Sequence, residues 1–132
     1  MDTELSKANQ RMTYKNLEAW KQARELAIAV YKHSDQEPLR RNWGLCDQMQ
    51  RAAVSIPSNI AEGDERGSNK DSLRFLYISK GSLGELRTQL DIAEATGRLS
   101  KNDYKALESK ADYVGRLLSG MIRKRLERER AA

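Results

Sequence analysis

The segment RAAVSIPSNIAEG, residues Arg51–Gly63, combines a helical repeat of apolar residues with a proline in its middle. A proline inside a helix removes one backbone hydrogen bond and costs about 3 kcal/mol. Pro57 also disfavours a helical backbone at the residue before it, Ile56. Because apolar residues continue at helical spacing on both sides of the segment, we predict one helix that kinks or breaks near residues 53–56.

Two faces of this helix differ in chemistry. One face carries small and apolar residues at helical spacing: Ala52, Ile56, Asn59 and Gly63. The other is a polar stripe of Gln48, Arg51, Ser55, Ser58 and Glu62. The first face predicts that Asn59 is largely buried and bonds the backbone that Pro57 frees. Two interpretations stay open: small polar side chains satisfy the backbone of a buried helix, or the polar stripe binds a partner.

Periodicity and capping signals predict four helices. Their expected bounds are about Asn16–His33, from Arg40–Gly44 to Gly63, about Lys70–Thr96, and from Ser100 onward. The expected N-caps are Thr13, Ser68 and Ser100. Gly63 and Gly97 are the expected C-terminal caps, because glycine adopts the left-handed conformation easily. Gly81 and Gly84 lie inside the third helix, where glycine is unfavourable, so we interpret them as helix-crossing or subunit-contact points.

Heptad spacing predicts how these helices pack. The series are Leu76, Leu83 and Leu90 in the third helix, and Leu107, Val114 and Met121 with Tyr104, Ala111 and Leu118 in the fourth. Two such series side by side form the packing seam of helix bundles. Short connections then predict an all-α, up-down-up-down antiparallel four-helix bundle over residues 14–132, with a basic C-terminal helix end. Residues 1–13 are polar and weakly periodic, so we expect that N-terminal segment to be disordered.

Composition argues against catalytic, metal and membrane functions. Cys46 is the only cysteine and His33 the only histidine among 132 residues. A disulfide framework is therefore excluded, and a zinc site or a Cys–His pair has little support. The sequence has no Glu-x-x-His motif and no glycine-rich phosphate loop, so we expect no enzyme and no cofactor. It also lacks an apolar run of about 18 residues, which favours a cytoplasmic protein without a membrane span.

Basic residues carry the strongest functional signal. Lys and Arg total 24 against 19 Asp and Glu, a formal net charge of +5. The candidate nucleic-acid-binding residues are Arg40, Arg41, Arg123, Lys124, Arg125 and Arg128. Aromatic residues make up only 6% of the chain, so we expect phosphate contacts to RNA or DNA rather than base stacking. The alternative is a protein-interaction scaffold or accessory subunit whose basic faces only keep it soluble.

The segment Arg51–Gly63 resembles the signature of the four-helix-bundle family encoded by intervening sequences within 23S ribosomal RNA genes. Further matching residues occur in the same order: Leu17–Trp20 in the opening segment, Gly44, Leu45 and Gln48 at the start of the second helix, and Gly81–Leu83 with Glu85 and Leu86 in the third. The resemblance spans roughly residues 14–122. One departure is Arg41, where the family often has an acidic residue, so the resemblance does not extend to an ion pair from that loop.

The resemblance implies a four-helix bundle that assembles into a homopentamer, a barrel of five bundles around a central channel. A related protein, the accessory variability determinant of diversity-generating retroelements, uses this architecture to bind nucleic acid and a reverse transcriptase. The intervening-sequence branch itself brings no settled biochemical activity. We therefore expect a non-enzymatic, pentameric bacterial protein that binds nucleic acid. Its structural motif comprises Arg51, Ser55, Pro57, Ser58, Asn59, Glu62 and Gly63.

Overall fold

The computed structural model describes residues 13–131, which form four α-helices and two short 3-10 turns. The helices are α1 (Glu18–Ser34), α2 (Trp43–Asp64), α3 (Asn69–Ala95) and α4 (Lys101–Ala131). The 3-10 turns span Tyr14–Asn16 and Leu39–Arg41. Of the N-terminal segment that we expect to be disordered, only Thr13 falls within the described residues. No helix in this range is long and apolar enough to cross a membrane.

The four helices pack in a closed ring: α1 on α2, α2 on α3, α3 on α4 and α4 on α1. Their shared core is aliphatic, and its largest fully buried side chains include Leu26, Met49, Ile56, Ile60, Leu76, Leu86, Leu90, Leu107 and Leu118. The heptad series of α3 is buried throughout, and that of α4 is buried except for Tyr104 and Met121, which are half-buried. The predicted all-α, antiparallel four-helix bundle is therefore confirmed.

Two side-chain contacts show which helix ends meet. At one end, His33 Nε2 near the end of α1 lies 3.6 Å from Asp103 Oδ1 in the first turn of α4. At the other end, the Asn69 side-chain amide at the start of α3 donates to the Arg125 carbonyl oxygen at 2.8 Å. We call these the His33 end and the Asn69 end. They lie about 33 Å apart along α4, because the helix rises 1.5 Å per residue between Asp103 and Arg125.

Two of the three predicted N-caps are confirmed. The Ser68 hydroxyl accepts a hydrogen bond from the Asp71 backbone N–H at 3.1 Å, and the Ser100 hydroxyl accepts from the Asp103 N–H at 3.1 Å. Each bond satisfies one of the free donors in the first turn of its helix. The prediction for Thr13 is wrong, because the chain makes a 3-10 turn after it and α1 begins at Glu18.

The end of α3 follows the prediction at Gly97. This glycine has φ +73° and donates its N–H to the Glu94 carbonyl oxygen at 3.0 Å. The next residue, Arg98, donates its N–H to the Ala93 carbonyl oxygen at 2.8 Å. These two bonds form a Schellman motif, which satisfies carbonyl groups that the helix end would otherwise leave unpaired.

The predicted cap at Gly63 is wrong. The helix continues to Asp64, and Gly63 is buried inside its last turn. A Cβ atom at Gly63 would lie 3.1 Å from the Ser72 carbonyl oxygen and 3.2 Å from Phe75 Cβ. The glycine is therefore required by the close approach of α3 and not by a left-handed backbone. Of the glycines within residues 13–131, only Gly97 has a positive φ.

The helix does not break near residues 53–56, since α2 is continuous from Trp43 to Asp64, and a kink in that turn stays a prediction. Packing on both sides of the proline explains why the helix persists. Ile56 and Ile60 are fully buried, and burial of one such side chain stabilises the fold by about 1.5–3 kcal/mol. The two together match or exceed the cost of about 3 kcal/mol for an interior proline. In addition, the Ser79 hydroxyl donates to the Ile56 carbonyl oxygen at 2.8 Å and ties this turn to α3.

Candidate nucleic-acid interface

A groove of about 590 Å³ runs between α3 and α4. Four cationic side chains line it, Lys80 and Arg87 from α3 and Arg116 and Arg123 from α4, against the single acid Asp112. We call this surface the basic groove. Lys80 and Arg87 are seven residues apart in α3, as are Arg116 and Arg123 in α4. That spacing keeps each pair on one face of its helix, so the basic charge follows the groove along both walls.

Two glycines in the walls of the basic groove differ in the space beside them. Gly84 on α3 and Gly115 on α4 line it without side chains. At Gly115 a Cβ would lie 3.3 Å from Leu83 Cδ2, so this glycine marks a close contact between the helices. Nothing lies within 4 Å of a Cβ built at Gly81 or Gly84. The interpretation of these two as helix-crossing points is therefore wrong within the chain, and their role as subunit contacts stays a prediction.

The four cations of the basic groove differ in how they are paired. Arg87 bonds the Glu108 carboxylate, and its Nη2 lies 4.0 Å from Asp112 Oδ1. Arg116 Nη2 lies 3.2 Å from Asp112 Oδ2. Within residues 13–131, Lys80 and Arg123 make no ion pair. Two cations are thus held by acids of the same protein, and two remain open to an anionic ligand.

The six predicted nucleic-acid-binding residues do not form one surface. Arg123 lines the basic groove, and Lys124 and Arg128 are exposed on the same end of α4. Arg125 is half-buried, and its Nη1 donates to Asn69 Oδ1 at 3.3 Å, so it anchors the tail to the start of α3. The C-terminal end of α4 is therefore packed on the bundle, at least on the side of Arg125.

Arg40 and Arg41 lie at the opposite end of the bundle, the His33 end, in the turn before α2. Arg41 Nε is 2.8 Å from Glu37 Oε2, so an ion pair forms in the loop where Arg41 departs from the family pattern. Arg40 borders a smaller cavity of about 320 Å³ that is also lined by Asp35 and Asp47. These two arginines are separated from the α4 tail by most of the length of the bundle.

Sequence reasoning missed Lys80, Arg87 and Arg116 as site residues. Their seven-residue spacing was visible, since Lys80 and Arg87 stand in one heptad series and Arg116 precedes Arg123 by seven. Either series alone is typical of a solvated helix face. The two series form one basic surface because antiparallel packing of α3 on α4 places them on the two walls of the same groove.

The signature residues of α2 meet α3 through a small polar cluster. Ser55 Oγ lies 2.7 Å from Ser82 Oγ, and either hydroxyl can donate. The Asn59 side-chain amide donates to Ser55 O at 2.8 Å and to Ser55 Oγ at 3.0 Å. Asn59 is half-buried, which is less than the sequence predicts, and its acceptors belong to Ser55 and not to the carbonyl that Pro57 frees. This part of the polar stripe holds two helices together.

The remaining signature side chains face solvent. Ser58 is exposed, Arg51 Nε lies 3.0 Å from Asp47 Oδ2, and Glu62 pairs with Arg66 one turn later. Such exposed pairs contribute only about 0–1 kcal/mol each. Arg51 and Gln48 also line a cavity of about 300 Å³ between α2 and α3. Within the polar stripe, Ser55 therefore has a structural role beside Asn59, whereas Gln48, Arg51, Ser58 and Glu62 are accessible.

A second groove, between α1 and α2, is apolar. It has a volume of about 360 Å³, and its apolar lining comprises Ala27, Ile28, Tyr31, Val54 and Pro57. Tyr31 and Val54 are 46% and 42% exposed, which is high for large apolar side chains that lie side by side. These adjoining side chains form a small apolar patch, well below the several hundred Å² that by itself marks an interaction site. We call this surface the apolar groove.

The groups suited to catalysis or metal binding are dispersed. Cys46 is buried, and its thiol lies 3.2 Å from the Leu39 carbonyl oxygen, to which it donates. Burial raises the pKa of the Cys46 thiol, so the reactive thiolate is disfavoured near neutral pH. Within residues 13–131, no three His, Cys, Asp or Glu side chains gather where they could hold a metal ion.

Comparison with known proteins identifies the family. A crystal structure of a protein of unknown function from the S23 ribosomal protein family of Bacteroides thetaiotaomicron is similar to this chain, with a TM-score of 0.73 and 21% sequence identity. The similarity covers 79% of this chain and 97% of that chain, which shows a common fold. No curated protein matches the sequence. Residues 15–120 match the family described as "23S rRNA-intervening sequence protein". The chain therefore belongs to the 23S rRNA-intervening sequence protein family.

Proposed function

We propose that this protein is a non-enzymatic, oligomeric nucleic-acid-binding protein that contacts phosphates through the basic groove. The observation that carries the proposal is the groove itself, where four cations face a single lining acid and Lys80 and Arg123 are unpaired within the described residues. The exposed Lys124 and Arg128 extend the basic charge toward the Asn69 end. A cytoplasmic location is part of this proposal.

The chemistry of the groove favours contact with the phosphate backbone of a nucleic acid over recognition of its bases. Lysine and arginine bind phosphate oxygens, and contacts of that kind position a nucleic acid without reading its sequence. Gly84 leaves room for a phosphate to approach the backbone of α3 between the cations, since nothing lies within 4 Å of a Cβ built there. No aromatic side chain lines the groove, so stacking of bases contributes little to binding. We therefore expect binding that depends steeply on salt and weakly on sequence.

RNA is the ligand to test first. The name of the matched family refers to an intervening sequence of 23S rRNA, which is a region of an RNA. The groove accepts any polyphosphate backbone by the same contacts, so single-stranded DNA is the natural comparison. Equal binding of the two at matched length would support recognition through phosphates alone.

We also propose that the protein acts as a homopentamer, as the family resemblance implies. The apolar groove supports an assembly, because it exposes Tyr31 and Val54 beside Ile28 and Pro57 on one side of the bundle. The basic groove lies between the other two helices, so an assembly through α1 and α2 leaves it accessible. Repeating the groove around a ring would multiply the phosphate contacts and raise the overall affinity.

The experiment is a titration of a labelled single-stranded RNA of about 20 nucleotides with the protein in about 50 mM salt. The test variant is the double substitution Lys80→Gln and Arg123→Gln, which removes the two unpaired groove cations. Its matched control is Lys21→Gln with Lys110→Gln, which removes the same charge from exposed positions on α1 and α4 outside both grooves. The proposal predicts weaker binding for the groove variant than for the control. Equal binding by both variants would contradict it.

A second candidate function is favoured by the apolar groove: a scaffold that binds another protein and no nucleic acid. Its side chains include Arg24, Lys32 and Asp35 at the rim, a mixture that suits a protein surface better than a phosphate chain. Absence of RNA and DNA binding at about 50 mM salt, where phosphate contacts are strong, would favour this function over the first.

A further inference from the structure

The acids of the basic groove contact the same cations that a nucleic acid would use. Asp112 Oδ2 lies 3.2 Å from Arg116 Nη2, and Asp112 Oδ1 lies 4.0 Å from Arg87 Nη2. Glu108 bonds the same Arg87 nitrogen from one turn away on α4. Carboxylates on α4 therefore already pair with two of the four cations of the groove, Arg87 and Arg116.

We propose that Asp112, with Glu108 beside it, withholds Arg116 and Arg87 from nucleic acid and so limits the number of phosphates that the basic groove neutralises. This inference rests on the proposed function and adds to it a group that sets affinity. With the acids in place, Lys80 and Arg123 supply the groove's phosphate contacts. Removal of Asp112 makes Arg116 available, and removal of Glu108 as well makes Arg87 available.

The solvent exposure of Arg116 and Asp112 allows a phosphate to compete with the carboxylate. The side chains of Arg116 and Asp112 are 72% and 52% exposed, so the pair is solvated and weak. Arginine binds a phosphate through two parallel hydrogen bonds, as it does a carboxylate, so the two anions compete for the same donors. Asp112 also repels a phosphate that approaches the centre of the groove. Asp112 thus weakens phosphate binding in two ways: it pairs with Arg116, and its own negative charge repels the phosphate.

The chain offers a matched control for this acid. Asp47 pairs with Arg51 at 3.0 Å, four residues apart in α2, just as Asp112 pairs with Arg116 four residues apart in α4. Asp47→Asn and Asp112→Asn change the net charge equally and each frees one arginine on a helix surface. They differ in location, since Asp47 lies outside the basic groove. Any effect of net charge alone is therefore common to both variants.

The experiment measures the slope of log affinity against log salt for single-stranded RNA between about 50 and 200 mM salt. For each engaged subunit, Asp112→Asn should steepen the slope by about 0.7, the value for one further phosphate on a single strand, and adding Glu108→Gln should bring the change to about 1.4. Asp47→Asn should leave the slope at the wild-type value. Circular dichroism verifies that all variants keep their helix content.

Three outcomes decide the matter. A steeper slope for Asp112→Asn than for Asp47→Asn, including binding by Asp112→Asn where the wild type does not bind, supports the inference. Wild-type binding with equal slopes for the two variants overturns the inference and leaves the proposed function standing. Failure of every variant to bind RNA or DNA overturns the proposed function and this inference with it.

Discussion

Ser55 and Ser82 join the middle of α2 to the middle of α3, with their hydroxyl oxygens 2.7 Å apart. Asn59, one turn along α2, donates to Ser55 Oγ at 3.0 Å, so three side chains form one polar cluster beside an aliphatic core. Such a cluster fixes the axial register of two helices, because a shift of either helix breaks the bond between the hydroxyls. The signature segment of the family therefore has a structural role here, which is to join α2 to α3.

Asn59→Leu should lower the free energy of unfolding by about 1 kcal/mol. The substitution approximates the volume of asparagine but leaves the Ser55 hydroxyl without this donor, and the loss is at the low end of the range of about 1–3 kcal/mol because the site is half-buried. Denaturant unfolding followed by circular dichroism measures it. The control is Ser58→Ala on the exposed side of the same turn, which should change stability by less than about 0.5 kcal/mol. Loss of RNA binding with unchanged stability would contradict the structural role.

Gly63→Ala should destabilise the bundle by about 1–3 kcal/mol, the typical cost of excess volume in a packed interior. The added methyl group would meet backbone and Cβ atoms of α3 at 3.1 and 3.2 Å, and neither can rotate away. Gly81→Ala is the opposite case, since the site is open within the chain. Alanine there should stabilise α3 by about 0.5–1 kcal/mol through its higher helix propensity.

Thermal melts of these two glycine variants test the comparison directly. The melting temperature should fall for Gly63→Ala and rise for Gly81→Ala. A rise for both would show that α3 can move away from Gly63. A fall for Gly81→Ala together with a smaller assembly in light scattering would show that Gly81 lies at a subunit contact.

Val54→Glu should break the proposed pentamer. Val54 is 42% exposed in the apolar groove, so a charge there costs little in an isolated bundle and much in a buried contact between subunits. Light scattering after size exclusion should give a pentameric mass for the wild type and a smaller mass for the variant. Ser109→Glu, at an exposed position on α4, is the control and should keep the wild-type mass. A monomeric wild type at micromolar concentration would contradict the proposed assembly.

Local sequence signals predicted most of the fold correctly. The heptad series of α3 and α4 form the packing seams of the bundle. Ser68 and Ser100 cap the starts of two helices and Gly97 caps the end of one, as their residue types indicate. The errors arose where one residue type serves two purposes. Gly63 at the end of an apolar repeat is a sign of a left-handed cap, but the same missing side chain also permits close packing, and only the position of α3 distinguishes the two.

The candidate site was harder to predict because it depends on how two helices are rotated against each other. Arg123 was among the predicted residues, but Lys80 lines the same groove only because α3 and α4 are antiparallel and in this register. Arg40 and Arg41 were grouped with the tail by charge alone, and the fold places them at the other end. Charge identifies a basic protein, whereas tertiary packing decides which charges share a surface.

The salt dependence of RNA binding by the Lys80→Gln, Arg123→Gln variant tests the central claim most directly. If these two cations each neutralise a phosphate, the slope of log affinity against log salt should become shallower than that of the wild type by about 1.4 for each engaged subunit. The Lys21→Gln, Lys110→Gln control should keep the wild-type slope. An unchanged slope in the groove variant would show that the basic groove does not contact the phosphates.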